Sequence, residues 1–371
     1  MDIIRYLETQ FAPFSETAFN DVDSLILSKL SYIRFEGIVP LLAERKKSVC
    51  ITELLKAEAY HSMFLNLSDR EIHLKFLYAL AASPRFRRIQ LNNYANHSDP
   101  VTEKQFSAVT FLLDDGTAYA AFRGTDATFI GWKEDFNMAY ISPVPSQQDA
   151  ARYICAVAKR IGKSVPIRIG GHSKGGNLAV YAAIKCGLSV QKRIIGVYNH
   201  DGPGFKDSLF ETPEFLRIRS RIHTTLPESS LVGLLLRQYD DYKVVKSTRR
   251  GIKQHDPFSW IIEGCDFVYS DELKNGAKMR NKTLDEWLET LTDEKRKLFI
   301  NTLFDVLDAT EADTLLELSQ EWHKSATAIL YAIKSIDPET RRFVFQTMTE
   351  YAKMSLKNRF KSKGEEDTAG A

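Results

Sequence analysis

The chain has 371 residues, with 50 Lys and Arg against 48 Asp and Glu for a formal net charge of +2, and is 44% hydrophobic and 26% charged. That composition is normal for a globular protein able to bury a sizeable core, and the balanced charge excludes nucleic acid as its main partner. Cys50, Cys155, Cys186 and Cys265 have no C-x-x-C spacing, nothing approaches a run of roughly 18 apolar residues, and Met1 is followed by no apolar leader, so we expect a soluble, cytoplasmic protein with reduced thiols and no transmembrane segment.

Residues 1–95 carry apolar residues mostly at helical spacing, as in Asp21-Val-Asp-Ser-Leu-Ile-Leu-Ser-Lys-Leu30. Arg85-Phe-Arg-Arg88 is weakly basic and is expected to be a solvated face. From 96 to 275 strands and helices alternate, the pattern of a mainly parallel sheet covered on both faces. Phe106–Leu113 and Thr117–Phe122 are strands flanking an Asp114-Asp-Gly116 turn. Gln147–Ile161 is a helix. Val165–Ile169, Arg193–Asn199, Ser220–Thr225 and Tyr242–Lys246 are further strands. Residues 276–360 are helical again, with a capping box expected at Thr283-x-x-Glu286 and an N-cap at Asp337 before Pro338. Val344, Met348 and Tyr351 form a packing stripe at helical spacing. The polar end, 361–371, is expected to be disordered.

The most informative residues lie between the strand ending at Ile169 and the helix-forming run Asn177–Lys185. There Gly171-x-Ser173-x-Gly175 occupies a sharp strand-to-helix turn. Small neighbours let strand and helix approach, and the turn lifts the serine Oγ clear of the sheet at a helix N-terminus. That is where backbone N–H groups can meet a developing oxyanion, so Ser173 is expected to be a nucleophile. A serine nucleophile needs a base, and the base needs an orienting acid. In a sheet of this kind the order is serine, acid, histidine. His61, His73 and His97 precede the serine, His172 adjoins it, His200 and His223 fall in strands, and His323 lies in a helical segment. His255, on a loop beyond the last strands, is the expected base.

Two carboxylates compete for the acid. Asp201 stands at the end of the strand after the elbow helix, in a tight Asp-Gly-Pro-Gly turn. Glu228 follows the next strand and is the alternative acid. Asp240 and Asp241 are weaker candidates, and Asp256 is expected to shape the loop of His255. The oxyanion donors are expected to be the N–H of Lys174 and an N–H near Thr125, on the loop Arg123-Gly124-Thr125. The Lys174 ammonium is expected to pair with a carboxylate such as Asp126 or Asp135.

Phe122-Arg-Gly-Thr125, Trp132-x-x-Asp135 and Gly171-His-Ser-Lys-Gly-Gly176 together resemble the class 3, fungal-type lipase branch of the α/β-hydrolase superfamily. The chain looks closest to an uncharacterised bacterial branch, with Asp201-Gly-Pro-Gly-Phe205 and Gln254-His-Asp-Pro-Phe258 as its own signatures. The resemblance covers residues 100–260 and implies an α/β-hydrolase-like core with helical additions at both ends. It implies Ser173 as nucleophile, Thr125 at the oxyanion hole, and Trp132 with Asp135 in a lid or its support. In two places the chain departs from the lipase pattern: Lys174 replaces an apolar residue, and no aspartate follows the 220–225 strand.

The expected function is cleavage of a carboxylic ester, small or lipid-like, through an acyl-enzyme, with no metal or organic cofactor. The apolar Phe129–Pro145 segment would permit peripheral membrane contact. A hydrolase-like core used as a non-catalytic scaffold or ligand-binding protein is the alternative reading.

Overall fold

Short β-branched runs alternating with amphipathic helices can bury their apolar faces only by layering. The computed structural model of the chain describes residues 1–67, 69–126, 129–138, 140–239, 241–308 and 322–369. They fall into two units, Met1–Asp126 with Pro143–Leu273, and Ala127–Ser142 with Lys274–Ala371.

The first unit is built on a nine-stranded sheet. Its strands are β1 (Val49–Cys50), β2 (Gln90–Asp99), β3 (Lys104–Leu112), β4 (Ala118–Phe122), β5 (Ile167–His172), β6 (Ile194–His200), β7 (Ile222–Pro227), β8 (Tyr242–Val245) and β11 (Tyr269–Ser270), in the spatial order given. A separate two-stranded ribbon pairs β9 (Ile262–Glu263) with β10 (Asp266–Phe267). The run from β4 to β8 is parallel and both flanks are antiparallel. This mixed sheet, with helices on both faces, is an α/β-hydrolase-like fold.

Period-two alternation explains how one apolar strand serves two cores. Every residue of β4 is buried. Tyr119 and Ala121 join the core formed with Leu25, Ile26, Phe76 and Leu80. Ala120 and Phe122 join the opposite core, with Ile154, Val157, Leu178 and Ala182. The first core is roofed by α1 (Ile3–Leu7), α2 (Asp21–Leu30), α3 (Tyr60–Met63) and α4 (Arg70–Ala82). The second is roofed by α6 (Pro145–Arg160), α7 (Lys174–Lys185), α8 (Leu188–Gln191) and α9 (Pro213–Ile218). The helical residues near the N-terminus therefore cover one face of the sheet.

Three local expectations fail for physical reasons. The stretch expected to be mostly helical up to residue 95 ends in β2, whose register shifts between Asn92 and Ala95. The irregularity breaks the apolar alternation by which a strand is recognised. Arg85 is not on a solvated face. Its guanidinium is buried, bonding both carboxylate oxygens of Asp23 at 2.6 and 2.9 Å and the carbonyls of Ala12, Thr17 and Ala18. The Tyr6 hydroxyl donates to the same carboxylate at 3.0 Å. Thr283 caps nothing, because it lies inside α10 (Asn275–Glu289), where its hydroxyl donates back to the Met279 carbonyl.

In the second unit, α5 (Phe129–Asn137), α10 and α11 (Asp293–Asp308) are followed by helices Trp322–Ser335 and Pro338–Ala369. Asp337 caps the last helix, accepting the N–H groups of Glu339 and Thr340. That helix continues through much of the polar end expected to be disordered. Lys361, Lys363, Glu365 and Glu366 are good helix formers despite their polarity. Tyr351 packs against Trp287 with ring centroids 5.3 Å apart, whereas Met348 of the expected stripe is exposed. Among the described residues no helix is long and apolar enough to cross a membrane.

Removing one partner of a buried ion pair strands the other charge. Asp23→Ala is therefore expected to lower unfolding free energy by about 3–5 kcal/mol, measured by urea denaturation; a loss below about 1 kcal/mol would show that Arg85 finds water.

Candidate active site

β5 ends at His172 and α7 begins at Lys174, which leaves Ser173 alone to reverse the chain. Its backbone sits at φ 58°, ψ −136°, a region that L-residues rarely adopt. The turn closes because Ser173 N–H donates to the His200 carbonyl at 2.9 Å and Gly176 N–H donates to the Ser173 carbonyl at 2.8 Å. The flanking glycines are required by contact. A Cβ on Gly171 would run into the Gly175 backbone, and one on Gly175 into the Phe122 carbonyl.

The same crowding positions the loop after β4. A Cβ on Gly124 would strike the Tyr32 hydroxyl, lie 2.6 Å from the His172 carbonyl and come within 3.1 Å of the Ser173 Cβ. Gly124 thus brings the backbone leading into Thr125 against the elbow. Lys174 is fully buried at the start of α7 and is not without a partner.

Asp201 and His255 meet. The His255 Nδ1 lies 2.6 Å from Asp201 Oδ2, across 54 residues of sequence. Asp201 is fully buried and His255 retains a quarter of its side-chain exposure. The second carboxylate oxygen accepts the Ser230 hydroxyl at 2.5 Å and the Gly233 N–H at 3.2 Å. One oxygen is thereby fixed and the other is left for the imidazole. With Nδ1–H donating to a carboxylate, the lone pair is at Nε2, the tautomer a general base needs.

Glu228, the alternative acid, is half-buried in the turn after β7, with its N–H bonded to the Val245 carbonyl. That turn instead supplies Ser230 to Asp201. Asp256 shapes the histidine's loop, accepting the Phe258 N–H and pairing with Arg249 at 2.6 Å. Asp241 is exposed, and Asp240 lies outside the described residues. Trp132 and Asp135 lie on α5, in the second unit, where Trp132 packs beside the cluster of Tyr140, Ile300 and Phe304.

Residues 80–305, more than half the chain, match the family model described as Mbeg1-like. The chain belongs to the Mbeg1-like family. This is a lipase-like family. No curated protein matches the chain. Among solved structures it is similar to the crystal structure of M37 lipase, at 15% identity over 56% of this chain and 67% of that one, with a TM-score of 0.37.

The site of this Mbeg1-like chain contains residues that local patterning did not single out. Tyr32, just beyond α2, places its hydroxyl 3.0 Å from His172 Nδ1 and 3.3 Å from the His172 carbonyl, to which it donates. His172 Nε2 lies 2.8 Å from the carbonyl of His255, and the two rings are 4.5 Å apart. Burial pushes the His172 pKa well below the usual range, which keeps the ring neutral with its proton on Nε2, facing that carbonyl. Tyr32, Ser230 and Gly233 leave no mark in the sequence, since their roles depend on contacts 140, 29 and 32 residues away. Among the described residues no group of three His, Cys, Asp or Glu is disposed to hold a metal ion.

Two more histidines are buried and neutral. His200 is held between Ser24 Oγ at 2.9 Å and Thr225 Oγ1 at 2.8 Å, and burial pushes it down to about 3. Burial does the same to His73, to about 4. Each binds a proton more readily once unfolded, so the stability it contributes is fully present above about pH 6.5 and is lost as the pH falls toward the folded value. Urea unfolding between pH 6.5 and 4.5 is expected to lose about 1.4 kcal/mol per pH unit for each such histidine. His200→Gln should remove one histidine's share of that slope; an unchanged slope in the variant would place its proton elsewhere.

Proposed function

We propose that this chain is a serine hydrolase that cleaves a carboxylic ester, small or lipid-like, through an acyl-enzyme. The observation that carries the proposal is the 2.6 Å contact between buried Asp201 and His255, in a unit whose elbow holds Ser173 at positive φ. Ser173 Oγ attacks the ester carbonyl carbon while its proton passes to Nε2 of His255. Asp201 holds the imidazole in the required tautomer and stabilises the imidazolium. The N–H groups of Lys174 and Thr125 receive the oxyanion, each worth about 3 kcal/mol in the transition state. The carbonyl re-forms as the bond to the leaving oxygen breaks, and His255 returns the proton to the departing alcohol. Water then attacks the acyl-enzyme by the same route and releases the carboxylate. The lipase resemblance assigns Trp132 and Asp135 to a lid or its support.

Labelling with a fluorophosphonate tests the nucleophile directly. Wild type is expected to label, and Ser173→Ala and His255→Ala are expected not to. An unlabelled, folded wild type would favour a non-catalytic, hydrolase-like binding protein.

Turnover of short-chain p-nitrophenyl esters separates the two carboxylates. Asp201→Asn is expected to lower kcat by about 10⁴-fold, because the imidazole loses its orienting acceptor. Glu228→Gln should stay close to wild type, and the reverse order of effects would transfer the acid role to Glu228.

A further inference from the structure

The irregularity in β2 has a second aspect. Asn93 sits within it at φ 55°, a left-handed conformation. Its N–H donates to the Asn92 side chain at 2.7 Å and its carbonyl accepts the Tyr153 hydroxyl at 2.9 Å, so the backbone is satisfied. Its side-chain amide makes no such bond among the described residues, although Asn93 is 4% exposed. Asn177, just as buried, donates to the carbonyls of Pro203 and Gly204 and accepts from Gln147. Neither polar atom of the Asn93 amide is sealed from solvent, so the group opens onto the cavity that Asn93 lines.

Asn93 lines a cavity of about 460 Å³ at the end of the sheet opposite Ser173. The cavity reaches the Leu112–Thr117 hairpin and Val165, just before β5. The six residues of β5, roughly 20 Å of strand, separate that level from the elbow. Leu112, Ile161 and Val165 give the cavity apolar walls, and Lys46 and Arg160 bring two cations to it. Both cations touch one residue, Glu44, with Lys46 on its carboxylate at 2.7 Å and Arg160 on its carbonyl. Lys46 is thus paired with a carboxylate, whereas Arg160 meets only a backbone carbonyl and has no carboxylate partner among the described residues.

We propose that this cavity binds a small organic carboxylate. The anionic head lies between the Asn93 amide N–H groups and the Lys46–Arg160 pair, and a short apolar tail rests on Leu112, Ile161 and Val165. The volume lies within the range of small-molecule sites. The unpaired amide is the specific element, because a carboxylate accepts two hydrogen bonds at once. This site does not depend on the reaction assigned to Ser173.

Calorimetric titration of the full chain with hexanoate, hexan-1-ol and inorganic phosphate tests the proposal. The variants are Asn93→Gly and the double variant Lys46→Gln with Arg160→Gln. Glycine adopts the left-handed backbone freely, so Asn93→Gly removes the amide without adding strain. Hexanoate is expected to bind wild type, and each variant to lose about tenfold or more in affinity, as befits one charge-assisted hydrogen bond. Hexan-1-ol and phosphate are expected to bind more weakly than hexanoate. No binding by wild type overturns the proposal. So does affinity unchanged in both variants, which would put hexanoate elsewhere, including beside Ser173. Phosphate binding as tightly as hexanoate would replace the organic ligand with a free anion. Should Asn93→Gly fail to fold, the double variant, altered only at exposed side chains, decides alone.

Discussion

The register between β5 and β6 is the constraint on which the site depends. These parallel strands pair His172 with His200, so Ser173 and Asp201 are each the first residue past matched strand ends. Both turn through positive φ, at 58° and 53°. The Ser173 N–H takes the His200 carbonyl and the Asp201 N–H takes the Thr225 carbonyl, so each turn is tied to the next strand over. Side chains alternate along a strand, and a one-residue slip would send the paired set to the wrong face. Two apolar cores, one on each side of β4 and β5, make that slip costly. Burial thus places the Ser173 and Asp201 turns side by side.

His255 reaches this frame through its main chain as well as its ring. Its Nδ1 is held by Asp201 and its carbonyl by His172, which in turn accepts from Tyr32. Tyr32 also crowds Gly124, on the loop toward Thr125. One hydroxyl therefore bears on the histidine brace and on the loop leading to Thr125. Ser24 on α2 bonds both His200 and the Tyr119 hydroxyl, and Ser28 bonds Tyr119 as well. Helix α2 and the turn after it serve as a polar clamp on the strand ends, within an otherwise apolar interface. A fully satisfied network of this kind specifies one packing more sharply than apolar contact does.

The sequence disclosed those parts of the site whose chemistry is local. The elbow at Ser173 was legible because its small residues and the strand-to-helix change lie within a few positions of one another. His255 was legible by position relative to the strands, and Asp201 by its tight turn at a strand end. That Asp201 rather than Glu228 meets His255 was not legible, because the meeting depends on Ser230 and Gly233 holding one carboxylate oxygen, a matter of tertiary contact. Tyr32 was hidden for the same reason. β2 was hidden by its irregular register, and Arg85 by composition, since three arginines within four residues look solvated until one of them is found inside. β4 and β6 were legible because each is a largely apolar run bounded by turn residues.

These dependencies bear on how much of the chain the proposed reaction needs. Residues 96–275 contain Ser173, Asp201 and His255, and by sequence they look like a self-sufficient core. Yet the helices α1 to α4 supply much of the apolar cover on one face of the sheet, and the buried Asp23–Arg85 pair locks α2 to the chain just before β2. Without residues 1–95, Tyr119 and Tyr198 would face water and His172 would lose its hydroxyl partner. The neutral state of His172 would go with it, because that state depends first on burial. A charged His172 beside His255 would disfavour the imidazolium that the proposed reaction must form at His255. The helical N-terminal part therefore acts on the chemistry through the dielectric it imposes as much as through the contacts it makes.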